Sequence, residues 1–414
     1  MLGHKPSGMV VCNLKLYDLH FLPNTGRGRP QIAIFPDLGD DFLRFSVKGG
    51  LGRITVAIWY LCDMHAVYMR RCLELASLGL GTVAPNPAVG CVLVHNGFVI
   101  GEGWHHRFGG HHAEVEALGS VPDSLHPLIA ESTVYVSLEP CSHFGKTPPC
   151  VDLLLRHQVK RVVIASLDPN PLVAGSGVKR LEAAGVEVIV GVLEEEAKQL
   201  NAAFFTYHTL KRPYITLKWA ESADGFIGSL DGHPLHLSNE QADLFVHKLR
   251  AEHSAILVGG RTALADNPRL TNRLWTGKNP LRVIIDTHGD LPDSLRVFDG
   301  EAETLVCTTH QQASYPHARM VVLQSDVAFV PQVIAALYQK GVQSVLVEGG
   351  AKTLSAFLQA GAWDQVYRIQ TPQTPGSGVR MPVDEVLDSL DYTYRQIGDN
   401  RILHAENPHG SFAV

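Results

Sequence analysis

The sequence predicts an α/β protein of two domains, and three observations support this prediction. The chain has 414 residues, which is long enough for two hydrophobic cores. Short apolar runs alternate with segments of helical periodicity in both halves, a pattern typical of sheets covered by helices. The segment Lys211-Arg212-Pro213 separates the two alternating regions. We therefore predict domains at 64–210 and 211–414, preceded by an irregular extension at 1–63.

The composition is that of a soluble globular protein, with 45% apolar and 18% charged residues. The formal net charge of −6 argues against a nucleic-acid partner, which would favour a basic face. No apolar run approaches the roughly 20 residues needed to span a bilayer, so we expect no membrane partner. The seven cysteines are odd in number and scattered, unlike a secreted disulfide framework. These features predict a cytoplasmic protein that acts on a small molecule.

The first domain is predicted to open with a helix. Residues 1–63 show no sustained period, whereas apolar residues recur at helical spacing from Met64 up to Gly79. We predict that the extension is dispensable and arises from an upstream start codon. The alternative is a genuine extension in which the apolar run Ile54–Cys62 forms a short strand.

A hairpin and an alternating series follow. Asn96-Gly97 is a strong turn signal between two apolar runs, at Val89–Val94 and Phe98–Gly101. Further predicted strands are Thr133–Leu138, Arg161–Ser166, Val186–Val190, Tyr214–Trp219, Ala255–Val258, Arg282–Ile285 and Ser344–Val347. Predicted helices are Val151–His157, Val178–Ala184, Glu194–Tyr207 and Thr353–Gln359.

Three residues of the first domain have the chemistry of zinc ligands: His112, Cys141 and Cys150. One imidazole and two thiolates suit Zn²⁺ and leave the fourth tetrahedral position for water, the open arrangement of a catalytic site. Bound zinc lowers the pKa of that water towards neutrality. Both ligand segments are predicted to start helices, whose N-termini favour a negative thiolate. The alternative is that the two cysteines are buried packing residues and that His-Ala-Glu is a chance match.

Glu114 lies two residues beyond the histidine. In a hydrolytic deamination a carboxylate at this position transfers a proton from water to the departing amine without binding the metal. The constellation therefore predicts a zinc-dependent deaminase of a small nitrogen heterocycle. Two other interpretations remain: a deaminase of a nucleoside or nucleic-acid base with an accessory C-terminal domain, and a non-catalytic zinc-stabilised scaffold. The eight-residue gap between the cysteines opposes the former, and retention of Glu114 opposes the latter.

The chain resembles the bifunctional deaminase/reductase family of riboflavin biosynthesis. In the first half the resemblance lies in Pro85-Asn86-Pro87-Ala88-Val89-Gly90-Cys91, His112-Ala113-Glu114-Val115, Leu138-Glu139-Pro140-Cys141-Ser142-His143 up to Thr147-Pro148-Pro149-Cys150, and Asp168-Pro169-Asn170-Pro171 with Gly175 and Gly177. In the second half it lies in Ala265-Asp266-Asn267-Pro268, Leu270-Thr271 with Arg273, and Glu348-Gly349-Gly350. These motifs occur in the family's order over roughly 350 residues.

The resemblance implies a cytidine-deaminase-like zinc domain followed by a dihydrofolate-reductase-like α/β domain. It implies deamination of 2,5-diamino-6-(5-phosphoribosylamino)pyrimidin-4(3H)-one, followed by NADPH-dependent reduction of the ribosyl group to ribityl. The cofactors would be Zn²⁺ and NADPH. We also expect a homo-oligomer.

The resemblance further implies residue roles. Substrate-binding residues would be Asn86, His105, Lys146, Asn170, Arg250, Leu270, Arg273 and Glu348. Cofactor-binding residues would be Ala220, His236, Thr262, Asp266 and Gly350. Amides can read a ring edge, and guanidinium groups bind phosphate through two hydrogen bonds. The alternatives are turn residues for the two asparagines, a solvated loop lysine, a helix-surface salt bridge for Arg250 and a loop charge for Arg273.

The second domain departs from the family at one segment. Where the family has Ser-x-Trp-x-Thr, this chain has Pro234-Leu235-His236-Leu237-Ser238, so the tryptophan that lines the cofactor site is replaced by histidine. The glycines at 349 and 350 follow a predicted buried strand and precede a helix. They would let backbone N–H groups approach a phosphate there, or they form only a tight turn.

Overall fold

The computed structural model describes residues 32–35, 44–47, 54–143, 148–170, 173–381 and 385–408. The fold is α/β, with a five-stranded sheet in the first predicted domain and a nine-stranded sheet in the second. Among the described helices, none is both long enough and apolar enough to cross a bilayer.

The N-terminal elements correct two predictions. Strands β1 (Ile32–Phe35) and β2 (Arg44–Val47) pair antiparallel, so the extension is not irregular throughout. Helix α1 (Ile54–Ser77) begins ten residues before Met64, so the predicted helix start and the strand alternative for residues 54–62 are both wrong. The stretch contains neither glycine nor proline, and extending an existing helix is much easier than nucleating one. The helix therefore runs through the β-branched residues at its beginning.

The remaining elements of the first domain are β3 (Gly90–His95), β4 (Phe98–Trp104), α2 (Ala113–Gly119), a 3-10 helix (Asp123–Glu131), β5 (Thr133–Leu138), α3 (Cys150–Arg156), β6 (Arg161–Ser166), α4 (Ser176–Ala183), β7 (Glu187–Val190), α5 (Glu194–Leu200) and α6 (Ala202–Leu210). The strand order is β4-β3-β5-β6-β7. Strand β3 is antiparallel to β4 and β5, whereas β5, β6 and β7 run parallel.

Most local predictions for this domain are confirmed. Asn96 and Gly97 both have positive φ, 49° and 80°, as the predicted hairpin turn requires. The predicted single helix at 194–207 is wrong, because Asn201 interrupts it between α5 and α6. The buried Asn201 side chain instead accepts a hydrogen bond from the N–H of Ala88 and donates one to its carbonyl, 2.8 and 2.9 Å long.

Helices cover both faces of the first sheet. Val92 and Val94 of β3 face α1, where they pack with Met69, Cys72 and Leu75. The alternate residues Cys91 and Leu93 lie in a second cluster with apolar residues of α2, α3 and α4. This three-layer arrangement follows from the two-residue period of a strand buried on both faces.

The second domain contains β8 (Tyr214–Glu221), β9 (Phe226–Gly228), α7 (Glu240–Glu252), β10 (Ala255–Gly259), α8 (Gly260–Asp266), β11 (Leu281–Ile285), a 3-10 helix (Arg296–Phe298), β12 (Thr304–Thr308), β13 (Ala318–Val322), α9 (Phe329–Gln339), β14 (Ser344–Val347), α10 (Ala351–Gln359), β15 (Gln365–Gln370), β16 (Val379–Arg380), α11 (Glu385–Asp388), β17 (Thr393–Ile397) and β18 (Asn400–Glu406). The large sheet has the order β13-β12-β11-β10-β14-β8-β15-β18-β17. Strands β16 and β9 form a separate antiparallel pair.

The parallel part of the large sheet places the carboxyl ends of its strands at one edge. The first seven strands of this order, from β13 to β15, pair in parallel. Strand β18 is antiparallel to β15, and β17 is antiparallel to β18. Residues of α9 and α10 pack on one face of the sheet, and residues of α7 and α8 pack on the other. Because β10, β14 and β8 are neighbours, the segments after their carboxyl ends converge, and such edges commonly bind ligands.

Side-chain hydrogen bonds join the two domains. The Gln343 side chain donates to the Pro85 carbonyl at 2.9 Å, and the Gln199 side chain donates to Glu406 at 2.6 Å. The Tyr207 hydroxyl donates to the Tyr338 carbonyl at 3.3 Å.

Candidate active sites

The side chains of His112, Cys141 and Cys150 converge, and their ligand atoms all lie within 4.8 Å of one another. The Nδ1 atom of His112 is 3.5 Å from the Sγ of Cys141 and 3.4 Å from the Sγ of Cys150. A tetrahedral zinc ion bonded to nitrogen at about 2.0 Å and to sulfur at about 2.3 Å would separate those atoms by about 3.5 Å. The donor set and its spacing therefore fit zinc.

Helix starts and a strand end bring the three residues together. His112 is the residue before α2, Cys150 is the first residue of α3, and Cys141 follows the carboxyl end of β5. The backbone N–H of Cys150 donates to the Cys141 sulfur at 3.3 Å. A backbone N–H at a helix start has no partner within the helix, and its partial positive charge favours a negatively charged sulfur. This local geometry therefore suits a thiolate at Cys141.

The cluster combines one cysteine that favours the thiolate, Cys141, with a second, Cys150, whose pKa is raised by its hydrogen bond to Cys141 and by burial. Hydrogen bonds, first from the Cys150 thiol and then from His112, lower the pKa of Cys141 to about 4. Glu114 is only 3% exposed, and its carboxyl group contacts Cys150. Burial raises the pKa of this carboxyl group. A raised pKa makes this carboxyl a better proton acceptor than an ordinary glutamate, which suits a role in proton transfer.

Two of the predicted substrate-binding residues lie beside the cysteine–histidine cluster. The Nδ1 atom of His105 is 2.7 Å from the His111 carbonyl oxygen, which only accepts, so Nδ1 carries the hydrogen. The Nε2 atom of His105 therefore accepts from the Asn86 amide nitrogen, 3.1 Å away. The rings of His105 and His112 meet edge to face, with 5.6 Å between their centroids. Burial lowers the pKa of His105, which keeps the ring neutral.

Asn170 lies on a loop that is anchored next to the cysteine ligands. Its backbone N–H donates to Asp168, and the N–H groups of Asp168, Gly175 and Gly177 donate to the carboxylate of Glu139 at 2.8 to 3.2 Å. Glu139 is 4% exposed and precedes Cys141 by two residues. Sequence reasoning assigned no role to Glu139, although a charged residue between a buried strand and a ligand is a usable signal. Lys146 lies outside the described residues.

The second domain gathers its predicted substrate residues around a buried ion pair. Two hydrogen bonds, 2.9 and 2.8 Å long, join the Arg250 guanidinium to the Glu348 carboxylate. The side chains of Arg250 and Glu348 are 13% and 8% exposed, so the alternative of a surface salt bridge for Arg250 is wrong. Arg273 donates to the Thr271 hydroxyl at 3.1 Å, and Arg250 approaches the Thr271 carbonyl. Leu270 is buried beside them with φ of 54°.

The sequence analysis assigned no role to two residues near this ion pair, Lys218 and His247. Lys218 lies on β8 with its Nζ atom 3.9 Å from a Glu348 oxygen, and burial lowers the pKa of Lys218. Burial opposes ionisation of Glu348, but the charges of Arg250 and Lys218 outweigh it and lower the pKa of Glu348 to about 2. The Nδ1 atom of His247 accepts from the backbone N–H of Arg273. A lysine inside an otherwise apolar predicted strand was the available signal for Lys218.

The structure brings two of the predicted cofactor-binding residues into contact. A Cβ added to Gly350, which has φ of 66° at the start of α10, would lie 2.7 Å from the Thr262 hydroxyl oxygen. Asp266 ends α8, and burial raises its pKa. Ala220 lies near the carboxyl end of β8. The His236 side chain is 74% exposed and lies 3.6 Å from the Asp243 carboxylate, so the structure does not bring it to these residues.

Comparisons with known proteins match both halves of the chain. Residues 63–166 match the family described as the cytidine and deoxycytidylate deaminase zinc-binding region, and residues 213–399 match the RibD C-terminal domain. The riboflavin biosynthesis protein RibD of Aquifex aeolicus is 41% identical over 317 residues, which cover 75% of this chain and 88% of that protein. The chain belongs to the RibD family. RibD of Escherichia coli K12 is 36% identical over 352 residues, covering 80% of this chain and 95% of that protein.

A solved structure supports the same conclusion over both domains. The deaminase/reductase of Thermotoga maritima superposes with a TM-score of 0.76 at 39% identity, covering 84% of this chain and 99% of that one. The chain is thus a bifunctional deaminase/reductase of riboflavin biosynthesis, with a zinc-binding deaminase domain followed by a reductase domain. Its cofactors are zinc and NADPH. The resemblance, the fold class and the two activities inferred from the sequence are confirmed.

Proposed function

We propose that this chain acts on the two substrates named for its Thermotoga maritima relative. The first domain deaminates a diaminohydroxyphosphoribosylaminopyrimidine, and the second reduces 5-amino-6-(5-phosphoribosylamino)uracil. The observation that carries the proposal is the convergence of His112, Cys141 and Cys150 beside the buried Glu114. A structural zinc site would have no use for a non-ligand carboxylate at that point.

In the deaminase site His112, Cys141 and Cys150 hold zinc, which supplies a Lewis acid that makes water nucleophilic near neutral pH. Glu114 accepts a proton from the attacking water and delivers it to the departing amine, so that ring C–NH₂ and water become ring C=O and ammonia. The Asn86 amide binds the edge of the pyrimidine, and neutral His105 orients that amide. Asn170 and Lys146 bind the phosphoribosyl part of the substrate.

In the reductase site Arg250 and Arg273 bind the sugar phosphate, while Leu270 and Glu348 complete the substrate pocket. The Arg250–Glu348 hydrogen bonds fix the guanidinium in one orientation, which reduces the entropy lost on binding. NADPH supplies the hydride. The residues proposed to surround NADPH are Ala220, His236, Thr262, Asp266 and Gly350.

We propose domain boundaries at 64–210 and 211–414, and no role for residues 1–63 in either reaction. The family matches that begin at residues 63 and 213 support these limits. We further propose that the enzyme works in the cytoplasm as a homo-oligomer and needs neither nucleic acid nor a membrane.

Metal removal tests the deaminase assignment directly. Chelation should abolish ammonia release from the diaminopyrimidine, and one equivalent of zinc should restore it. NADPH oxidation on the deaminated pyrimidine should continue in the chelated protein. Ammonia release that survives complete removal of zinc, measured by elemental analysis, would contradict the proposal.

A further inference from the structure

A side chain of the reductase domain binds the loop that carries Asn86 in the deaminase domain. The Nε2 atom of Gln343 donates a hydrogen bond of 2.9 Å to the carbonyl oxygen of Pro85, and Gln343 is 7% exposed. We propose that Gln343 is a positioning residue for the deaminase site, acting through Pro85 on Asn86. The inference rests on the proposed role of Asn86 in binding the pyrimidine.

A path of three hydrogen bonds and two steps along the chain leads from Gln343 to the metal ligand His112. Pro85 is adjacent to Asn86, whose amide nitrogen lies 3.1 Å from His105. His105 in turn donates to the carbonyl of His111, the residue before the ligand His112. A shift of the Pro85 carbonyl would therefore move the Asn86 amide relative to the cysteine–histidine cluster. Placement errors well below 1 Å matter for a group that orients a substrate.

The sequence of this loop explains why an outside donor is needed. In Ala84-Pro85-Asn86-Pro87 both prolines lack a backbone N–H, and the N–H of Asn86 already donates to the Val83 carbonyl at 2.9 Å, so the segment has few donors to spare. The deaminase domain anchors both flanks of the segment: the Thr82 hydroxyl donates to the His106 carbonyl at 2.6 Å, and Asn201 binds Ala88. Between these anchors, Gln343 binds the Pro85 carbonyl.

Gln343 is itself held firmly. Its carbonyl accepts a hydrogen bond of 2.8 Å from the N–H of Tyr214 in β8, and it immediately precedes β14 in the middle of the large sheet. Glu348 follows the other end of β14. A single buried strand thus connects the Asn86 loop to the reductase ion pair, over about 17 Å at the usual rise per residue.

The substitution Gln343→Met tests the inference, because it keeps the length of the side chain and removes the donor. We expect the KM for deamination to rise about 2- to 10-fold, the usual effect of losing one hydrogen bond. The kcat, the zinc content and the reductase activity should stay within about two-fold of the wild type. The matched control is Gln199→Met, which removes a second inter-domain glutamine bond, to Glu406, at an exposed site. This control should leave the KM for deamination unchanged.

A double-mutant cycle with Asn86→Ala separates positioning from general loosening of the domains. If Gln343 acts through Asn86, Gln343→Met should raise the KM in the wild-type background but not in Asn86→Ala. An equal effect in both backgrounds, or an equal effect of Gln199→Met, would overturn the inference. If Asn86→Ala alone leaves deamination unchanged, the proposed role of Asn86 fails and this inference fails with it. If Asn86→Ala impairs deamination and Gln343→Met does not, only this inference fails.

Discussion

The Nδ1 atom of His247 accepts a hydrogen bond of 3.0 Å from the backbone N–H of Arg273. His247 is 4% exposed, and burial, followed by the positive charges of Arg250 and Arg273, lowers its pKa to about 4. The bond requires an unprotonated Nδ1, and the depressed pKa keeps the ring neutral. The histidine therefore fixes the backbone of an arginine that we assign to substrate binding.

This relationship predicts a pH dependence of stability. The unfolded chain protonates His247 near its ordinary pKa of about 6.5, whereas the folded chain resists protonation until about pH 4. The unfolded state therefore binds more protons between these values, and the free energy of unfolding falls as the pH drops from about 6.5 to about 4. We expect His247→Gln to lose less stability than the wild type between pH 7 and pH 5 in urea titrations.

The comparison isolates His247, because other histidines with a lowered pKa, such as His253 with a pKa of about 4, are present in both proteins. Glutamine still offers an acceptor to the Arg273 N–H but does not titrate. Parallel stability curves for the two proteins would contradict the assignment.

Arg273→Ala is expected to impair reduction and spare deamination. A charge-assisted hydrogen bond to phosphate contributes about 1.5–3 kcal/mol, so the KM for the deaminated pyrimidine should rise at least about tenfold. Steady-state NADPH oxidation measures this change, and ammonia release should be unaffected. The control Arg269→Ala removes a nearby exposed arginine whose ion pair with Glu301 is 3.9 Å long. Similar KM values for both variants would rule out a specific role of Arg273.

Gly350→Ala is expected to weaken NADPH binding. The added Cβ would lie 2.7 Å from the Thr262 hydroxyl oxygen, and one of the two groups must move. Displacement within a binding site can lower activity by a factor of about 10 or more, so the KM for NADPH should rise at least about tenfold. Gly361→Ala is the matched control, since Gly361 also has positive φ, 61°, but an added Cβ has no neighbour within 4 Å.

The control should reduce stability by about 1–2 kcal/mol through backbone strain alone and leave the KM for NADPH unchanged. Equal KM values in Gly350→Ala and the wild type would remove Gly350 from the cofactor site.

A chain that starts at Met64 is expected to keep both activities and its zinc. Helix α1 begins earlier, at Ile54, but the shortened chain keeps Met69, Cys72, Leu75 and Ala76, which are buried in the hydrophobic clusters of the first domain. A chain that starts at Ile54 is the control, because it retains the whole helix. If the Met64 chain loses deaminase activity and the Ile54 chain does not, the boundary at residue 64 is misplaced.

Local chemistry explains why much of the fold was predictable. The strands at 133–138, 161–166 and 344–347 have the predicted bounds because each is a short β-branched or apolar run between turn residues. The cysteine and histidine ligands were predictable because few donor sets suit an open zinc site. The Asn96-Gly97 turn was predictable because both residues tolerate positive φ.

The features that sequence reasoning missed depend on distant partners. Asn201 lies between two helices and binds Ala88, which is 113 residues away in the sequence. Gln343 binds Pro85, which is 258 residues away in the sequence. Glu139 holds a loop more than 25 residues further along the chain. Nothing in the immediate neighbourhood of these polar residues indicates which backbone groups they satisfy, because burial of a polar side chain is decided by the folded structure.

The most direct test of the two-site account is a paired assay of Glu114→Gln. Glutamine keeps the shape of the side chain but cannot transfer the proton, so ammonia release should fall by a factor of about 100 to 10,000. The zinc content should equal that of the wild type, and NADPH oxidation should be normal when the deaminated pyrimidine is supplied. Loss of zinc, loss of reduction on that substrate, or normal ammonia release in the folded variant would each contradict the account.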